Sequence, residues 1–175
     1  MFKILLSLVL FQNIIFAEQD LKINFPSFDF PISEEKTISN NDLKGKYYLV
    51  NFFFANCLAI CPTINGKAHT LQEEFKSEDL NFLSLSVDSE NDTFEVLNAY
   101  AKKFKANSKR WHFAKPQEKD LNQLIEDLKL AVGDKMEDHS TRFILVNPKG
   151  QIHGFYQALN NEDFKLLKMD LKKLF

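Results

Sequence analysis

Two cysteines, the chain's only ones, stand four residues apart just after an apolar run. Positions 47–54 read Tyr-Tyr-Leu-Val-Asn-Phe-Phe-Phe, and Ala55-Asn56-Cys57-Leu58-Ala59-Ile60-Cys61-Pro62 follow. An aromatic, apolar stretch of this length predicts a strand. A proline fits the first turn of a helix, where its missing N–H costs nothing. The dithiol therefore falls at a strand-to-helix junction. Unpaired N–H groups at a helix start favour a thiolate, the form that attacks disulfides and binds soft metals. The spacing also sets the two sulfurs on one side of a helical turn, near enough to share a metal or form a bond. A purely structural disulfide is the plain alternative, but so short a loop gains little entropy from closure.

The remaining elements follow from periodicity. Residues 18–45, with Pro26, Pro31 and three phenylalanines at 25, 28 and 30, predict an extended lead-in that is irregular or hairpin-like. A helix is expected over about 62–75 and an alternating strand over 80–87. Asp92 or Thr93 suits the N-cap of a helix reaching about 104, with Phe94, Leu97, Tyr100 or Ala101, and Phe104 inward. Residues 111–113 predict a short strand and 120–131 a helix ended by Gly133. A strand at 142–146, a turn at 147–150 and a strand at 151–156 predict a hairpin. A last helix is expected from a cap at Asn161 to 175. Alternating strands and helices imply an α/β layer structure. A dithiol after the first core strand, with a terminal hairpin and helix, implies a thioredoxin-like fold: a central mixed sheet flanked by helices.

The N-terminus reads Met1-Phe2-Lys3, then an apolar stretch over 4–16, then Ala17-Glu18-Gln19-Asp20. A basic start, an apolar stretch and a small residue before charges predict a secretory signal peptide over 1–17, or a short retained membrane anchor. The stretch falls short of the roughly 20 residues of a full span. No cysteine lies near the expected cut, so no lipoprotein anchor is implied. The protein is expected to be exported, periplasmic or otherwise in the cell envelope. The thioredoxin-like domain is expected to fill 46–175. The net charge of −2 gives no electrostatic case for nucleic acid. The 18 phenylalanines read as core filling.

The chemistry of the dithiol is narrowed by what surrounds it. Thioredoxin-type enzymes use two intervening residues, often Gly-Pro, and a cis-proline before a later strand. Here three residues intervene, and Asp138-His139-Ser140-Thr141-Arg142 holds no proline. It holds a histidine, before a strand expected beside the cysteine-bearing one. Two thiolates and one imidazole make a soft three-coordinate site suited to Cu(I), and imidazole accommodates Cu(II) as well. Zinc normally takes a fourth ligand.

Cys57-Leu58-Ala59-Ile60-Cys61-Pro62, Ser86-Val87-Asp88-Ser89-Glu90-Asn91-Asp92-Thr93, and Asp138-His139-Ser140 with 143–150 (Phe-Ile-Leu-Val-Asn-Pro-Lys-Gly) together resemble the Sco/SenC proteins. These are copper-binding thioredoxin-fold proteins that help assemble the dinuclear copper site of cytochrome c oxidase. The resemblance runs from about residue 44 to the C-terminus. It implies copper ligation by Cys57, Cys61 and His139 and places Asp88 and Asp92 in the family's acidic loop, with Asp88 a candidate to support the ligands. It implies an oxidase copper-site subunit, or another copper protein, as partner. Family members often carry an acidic residue between the cysteines, where this chain has Leu58-Ala59-Ile60.

Three other readings compete. A thiol–disulfide oxidoreductase would attack its thiol–disulfide partners through Cys57 and resolve through Cys61. A thiol peroxidase would need a threonine three residues before its cysteine, where Phe54 stands, and an arginine near it; only Arg110 and Arg142 exist. A purely structural or binding domain is the last. Of the other histidines, His69 is expected exposed, because eight helical steps carry it off the Cys61 direction. His112 reads as a partly buried strand residue and His153 as structural or exposed. Asp88 serves equally as a turn residue.

Overall fold

The computed structural model describes residues 23–128 and 141–175. The chain enters through a small antiparallel hairpin, β1 (Asp29–Pro31) and β2 (Thr37–Ser39). Then come β3 (Tyr47–Phe53), α1 (Ile60–Glu74), β4 (Leu80–Ser86), α2 (Phe94–Lys103), β5 (Trp111–Ala114) and α3 (Glu118–Asp127). The hairpin β6 (Arg142–Val146) and β7 (Ile152–Gln157) and the helix α4 (Asn161–Leu174) complete it. The main sheet has the order β5-β4-β3-β6-β7. β3 pairs parallel with β4, and β4 with β5; β6 lies antiparallel to β3, and β7 to β6. This is the expected mixed, thioredoxin-like sheet with β3 at its centre.

Period-two alternation on β3 sorts its side chains between two core layers. Leu49 and Phe53 pack with α1, α2 and α4, through Ile64, Ala68, Leu71, Leu97, Tyr100, Leu167 and Leu171. Tyr48, Val50 and Phe52 pack on the opposite face, with Leu121, Leu124 and Ile125 of α3 and with Phe25, Phe28, Phe30, Ile38 and Leu43 of the lead-in. The lead-in is therefore not a tail beside the domain; its phenylalanines close the second face of the sheet. At about 2 kcal/mol for a buried Phe side chain, three of them contribute substantially.

Local signals place the boundaries. α1 starts at Ile60, two residues before the proline expected to open it. Thr93, not Asp92, caps α2, its hydroxyl accepting the Val96 N–H at 3.3 Å. Asn160, one residue earlier than expected, caps α4 by accepting the N–H groups of Glu162 and Asp163. Leu97 and Tyr100 are the buried positions of α2. The β6–β7 turn is drawn together by Asn147, whose side chain accepts the Lys149 and Gln151 N–H groups, and by Gly150 at φ +79°. α3 opens at Glu118, two residues before the expected start, and ends at Asp127 with Leu128 at its C-cap, short of the expected 131; Gly133 lies outside the described residues. Among the described residues no helix is long and apolar enough to cross a membrane, and the expected signal segment lies outside them.

Candidate functional site

β3 ends at Phe53, and a short loop carries Cys57 to the start of α1. The Cys57 N–H turns back to the Phe54 carbonyl at 3.2 Å, which points the side chain toward the helix. No side chain caps α1, and its first turn holds no acidic residue. Its N–H groups are thus free to meet another acceptor. The Cys57 sulfur takes that place: the Cys61 N–H donates to it at 3.4 Å, and the Ala59 and Ile60 N–H groups act on it too. Pro62, in that same first turn, has no N–H to leave unpaired.

Both cysteines are free thiols and nearly enclosed, Cys57 at 7% and Cys61 at 4% exposure. Their environments push them apart. Burial raises the Cys57 pKa, but donation from the Cys61 thiol and the helix-start N–H groups outweighs it, and the net shift is downward. Burial pushes the Cys61 thiol up to about 12, helped by its bond to Cys57 and by that neighbour's charge. Leu58, between them, is 96% exposed.

Two polar systems brace this loop from below. Asp92 is fully buried, and the Ala55 N–H donates to both its carboxylate oxygens at 3.2 Å. The Ser86 hydroxyl donates to it at 2.5 Å, and the Asp88 N–H donates to Ser86 Oγ at 3.1 Å. Burial raises the Asp92 pKa, against the bonds from Ser86 and Ala55. The acidic loop is thereby latched to the residue two before Cys57. Asp88 itself is half-buried, and its carboxylate accepts from the Asn91 side chain at 2.8 Å, a turn contact. The second system is a buried amide network. Asn65 on α1 donates to the Cys61 carbonyl (3.1 Å) and to the Tyr100 hydroxyl (3.3 Å). Its Oδ1 accepts from Asn51 of β3 at 3.3 Å, with the Ser84 hydroxyl of β4 3.4 Å away. Ser84 donates to Asn51 at 2.8 Å and accepts from the Trp111 indole N–H at 2.9 Å. Sequence reasoning missed both systems. The signal available was polar residues inside apolar strands, at Asn51, Ser84 and Ser86.

The antiparallel pairing of Val50 with Ile144 sets the start of β6 at the same sheet edge as the cysteine loop. His139, three residues before β6, lies outside the described residues. Among those described, no group of three metal-ligating side chains is assembled. The other histidines are elsewhere. His69 is half-buried rather than exposed, with Nδ1 enclosed and unbonded among the described residues, because α1 turns it toward its neighbours. His112 is half-buried on β5, and burial lowers its pKa. His153 packs edge-on to Tyr47, centroids 6.4 Å apart.

The model of the SCO1/SenC family matches residues 17–174. The chain belongs to the SCO1/SenC family. A SCO1 protein homolog of Bacillus subtilis is 29% identical over 153 residues, 83% of this chain and 79% of that protein. A SCO1/SenC family lipoprotein from Bacillus anthracis superposes with a TM-score of 0.78 at 28% identity, covering 89% of this chain and 97% of that one. The B. subtilis Sco structure, described as having a disulfide switch in a family of cytochrome c oxidase assembly proteins, superposes at 0.74 with 27% identity, over 88% and 94%. Arabidopsis thaliana ScoI, solved with copper bound, shares the fold at a TM-score of 0.68 and 19% identity, over 86% and 99%.

Proposed function

We propose that this SCO1/SenC protein is an exported, cell-envelope copper carrier that serves assembly of the cytochrome c oxidase copper site. Cys57 and Cys61 would hold the metal, with His139 as third donor. The observation that carries this is the free, nearly enclosed dithiol at an uncapped helix start, on the sheet edge where β6 begins. Two sulfurs and an imidazole suit Cu(I). The relatives support the same reading, since Sco proteins are cytochrome c oxidase assembly proteins and one was solved with copper. The metal would leave by ligand exchange onto the sulfurs of an oxidase subunit or another copper protein. Asp88 would act beyond the ligands, through its loop. The test is anaerobic Cu(I) titration of the reduced protein against a competing chelator. One tight equivalent, lost in both Cys57→Ser and His139→Ala, is expected; full retention in His139→Ala overturns the ligand set.

A second reading is favoured by the opposed shifts of the two thiols. A depressed Cys57 beside a Cys61 pushed up to about 12 is the pairing of an attacking and a resolving thiol. In a thiol–disulfide oxidoreductase, Cys61→Ser would trap a mixed disulfide on Cys57, and Cys57→Ser would not. Failure of Cys61→Ser to trap any partner removes this reading.

A further inference from the structure

The dithiol follows the last residue of β3, so the starts of the parallel strands β3, β4 and β5 mark the opposite end of the sheet. That end is basic, and neither reading above uses it. Lys46 precedes β3, Lys109 and the buried Arg110 precede β5, and Lys76 and Lys105 follow α1 and α2. These five line one surface cleft of about 420 Å³ with Glu73 and Glu78. Both acids act on the Arg110 guanidinium, which donates to the Gln72 and Phe75 carbonyls. None of the four lysines forms an ion pair among the described residues. Lys44 and Lys149 extend the face, lining a neighbouring cleft with Asn24 and Phe25, where the described chain begins. Of the other acids at this end, Glu74 is paired with Lys168 and Lys172, and Asp42 is held by Ser39; Asp79 alone does not balance the lysines. Helix C-termini attract cations, which accounts for Lys76 and Lys105. It does not account for Lys44, Lys46, Lys109 and Lys149, which stand in loops beside strands. At the dithiol end the first turns of α2, α3 and α4 instead hold Glu95, Glu118, Asp120, Glu162 and Asp163. The described fold is thus a charge dipole, with its basic pole away from the cysteines.

We propose that this basic end is a docking face for the anionic headgroups of a phospholipid membrane, which it meets with the dithiol end turned outward. The proposal rests on the cell-envelope location in the reading above. The path of the chain selects a membrane as the occupant. The apolar stretch over 4–16 ends seven residues before Ile23, and seven residues reach at most about 25 Å. Lodged in a bilayer, that stretch brings the end where Ile23 enters to the headgroups. Ile23, at 51% exposure, and Phe175, at 43%, are apolar side chains left open at this same end, Phe175 with its ring 5.6 Å from that of Tyr47 at the start of β3. Apolar and aromatic side chains among lysines suit the boundary between headgroups and water. Each lysine near an anionic surface adds to the attraction, and salt screens it.

The test uses the full chain with vesicles of phosphatidylcholine alone, or of phosphatidylcholine mixed equally with phosphatidylglycerol. Acetylation of surface lysines, read by peptide mapping, needs no variant. Lys76, Lys105 and Lys109 are expected to be protected several-fold more on the mixed vesicles. Lys119 and Lys165, at the dithiol end, are expected to label equally on both. Equal labelling of Lys76, Lys105 and Lys109 on the two vesicles overturns the proposal, and so does protection shared by Lys119 and Lys165. A second arm measures partitioning of a triple variant, Lys76→Gln with Lys105→Gln and Lys109→Gln. Its preference for mixed over phosphatidylcholine vesicles should fall about a hundredfold from wild type, roughly fivefold per lysine. Lys115→Gln with Lys119→Gln and Lys165→Gln makes the same change in net charge and should keep that preference. An equal loss in both triple variants overturns the face. The apolar stretch over 4–16 is the same in every protein compared, so it cancels from these ratios. Neither arm contains copper, so failure of the docking face is distinguishable from failure of the copper reading. The first triple variant is expected to bind Cu(I) as wild type does.

Discussion

Cys57 and Cys61 differ in burial, in which end of their mutual bond each holds and in the backbone donors that reach each sulfur, and that difference has a direct readout. The Cys57 pKa lies below its ordinary value of 9.0, so its thiolate forms first as pH rises; Cys61, pushed up to about 12, remains a thiol. Iodoacetamide near pH 8 should alkylate Cys57 well ahead of Cys61. Peptide mapping that finds Cys61 labelled as fast would contradict the geometry. Asp92 makes a second residue-scale prediction. Asp92→Ala leaves the Ala55 N–H and Ser86 hydroxyl without their acceptor and should cost about 2 kcal/mol in urea unfolding. Asp92→Asn keeps an acceptor and loses the charge. The folded-state pKa of Asp92 is raised, so the folded protein binds the proton more tightly than the unfolded chain. Stability from this group is then highest below the unfolded pKa and falls as pH rises through the raised one. The stability of Asp92→Asn relative to wild type should accordingly improve from acid toward neutral pH. A difference that is flat with pH, or that moves against the variant toward neutral pH, contradicts it. Asp92 also shows the limit of reading residues singly: next to Thr93 it looked like a cap, and only the approach of Ala55 from 37 positions away reveals a latch.

At the scale of elements, α1 trades helix stability for a reactive cysteine. Its N-cap position is Ala59, a poor capping residue, and Cys57 occupies the N–H groups a cap would take. Ala59→Asp would supply the missing cap. Pro62 offers no N–H, so the new carboxylate should compete for the Cys61 N–H that now reaches the Cys57 sulfur. The variant is expected to gain about 1 kcal/mol of stability while Cys57 alkylation near neutral pH slows. Faster alkylation in a stabilised variant would refute the competition. The element boundaries that sequence placed well, such as 142–146, are those where a strand is apolar throughout. The boundaries it missed by a residue or two, at α1 and α4, depend on which backbone N–H a side chain reaches.

At the scale of the molecule, the lead-in belongs to the fold. Phe25, Phe28, Phe30, Ile38 and Leu43 close the face of the sheet that α3 covers only in part. A fragment starting at residue 46 would bare Val50, Phe52 and Ile144. It is expected to lose cooperative unfolding and to bind an apolar dye; a sharp two-state transition in that fragment contradicts this. The sequence by itself determined the α/β order, the central apolar strand and the dithiol at a strand-to-helix junction. These are written in short-range periodicity, where each residue's environment depends on its near neighbours. Family membership was legible for the same reason, in motifs only a few residues long. Only the tertiary structure decided that the lead-in is core, that Asp92 reaches the Cys57 loop, and that Asn51, Asn65, Ser84, Tyr100 and Trp111 form one network under Cys61. Those facts rest on contacts between distant segments. A buried polar side chain takes its partner from whatever the packing of the sheet and helices brings within hydrogen-bond reach.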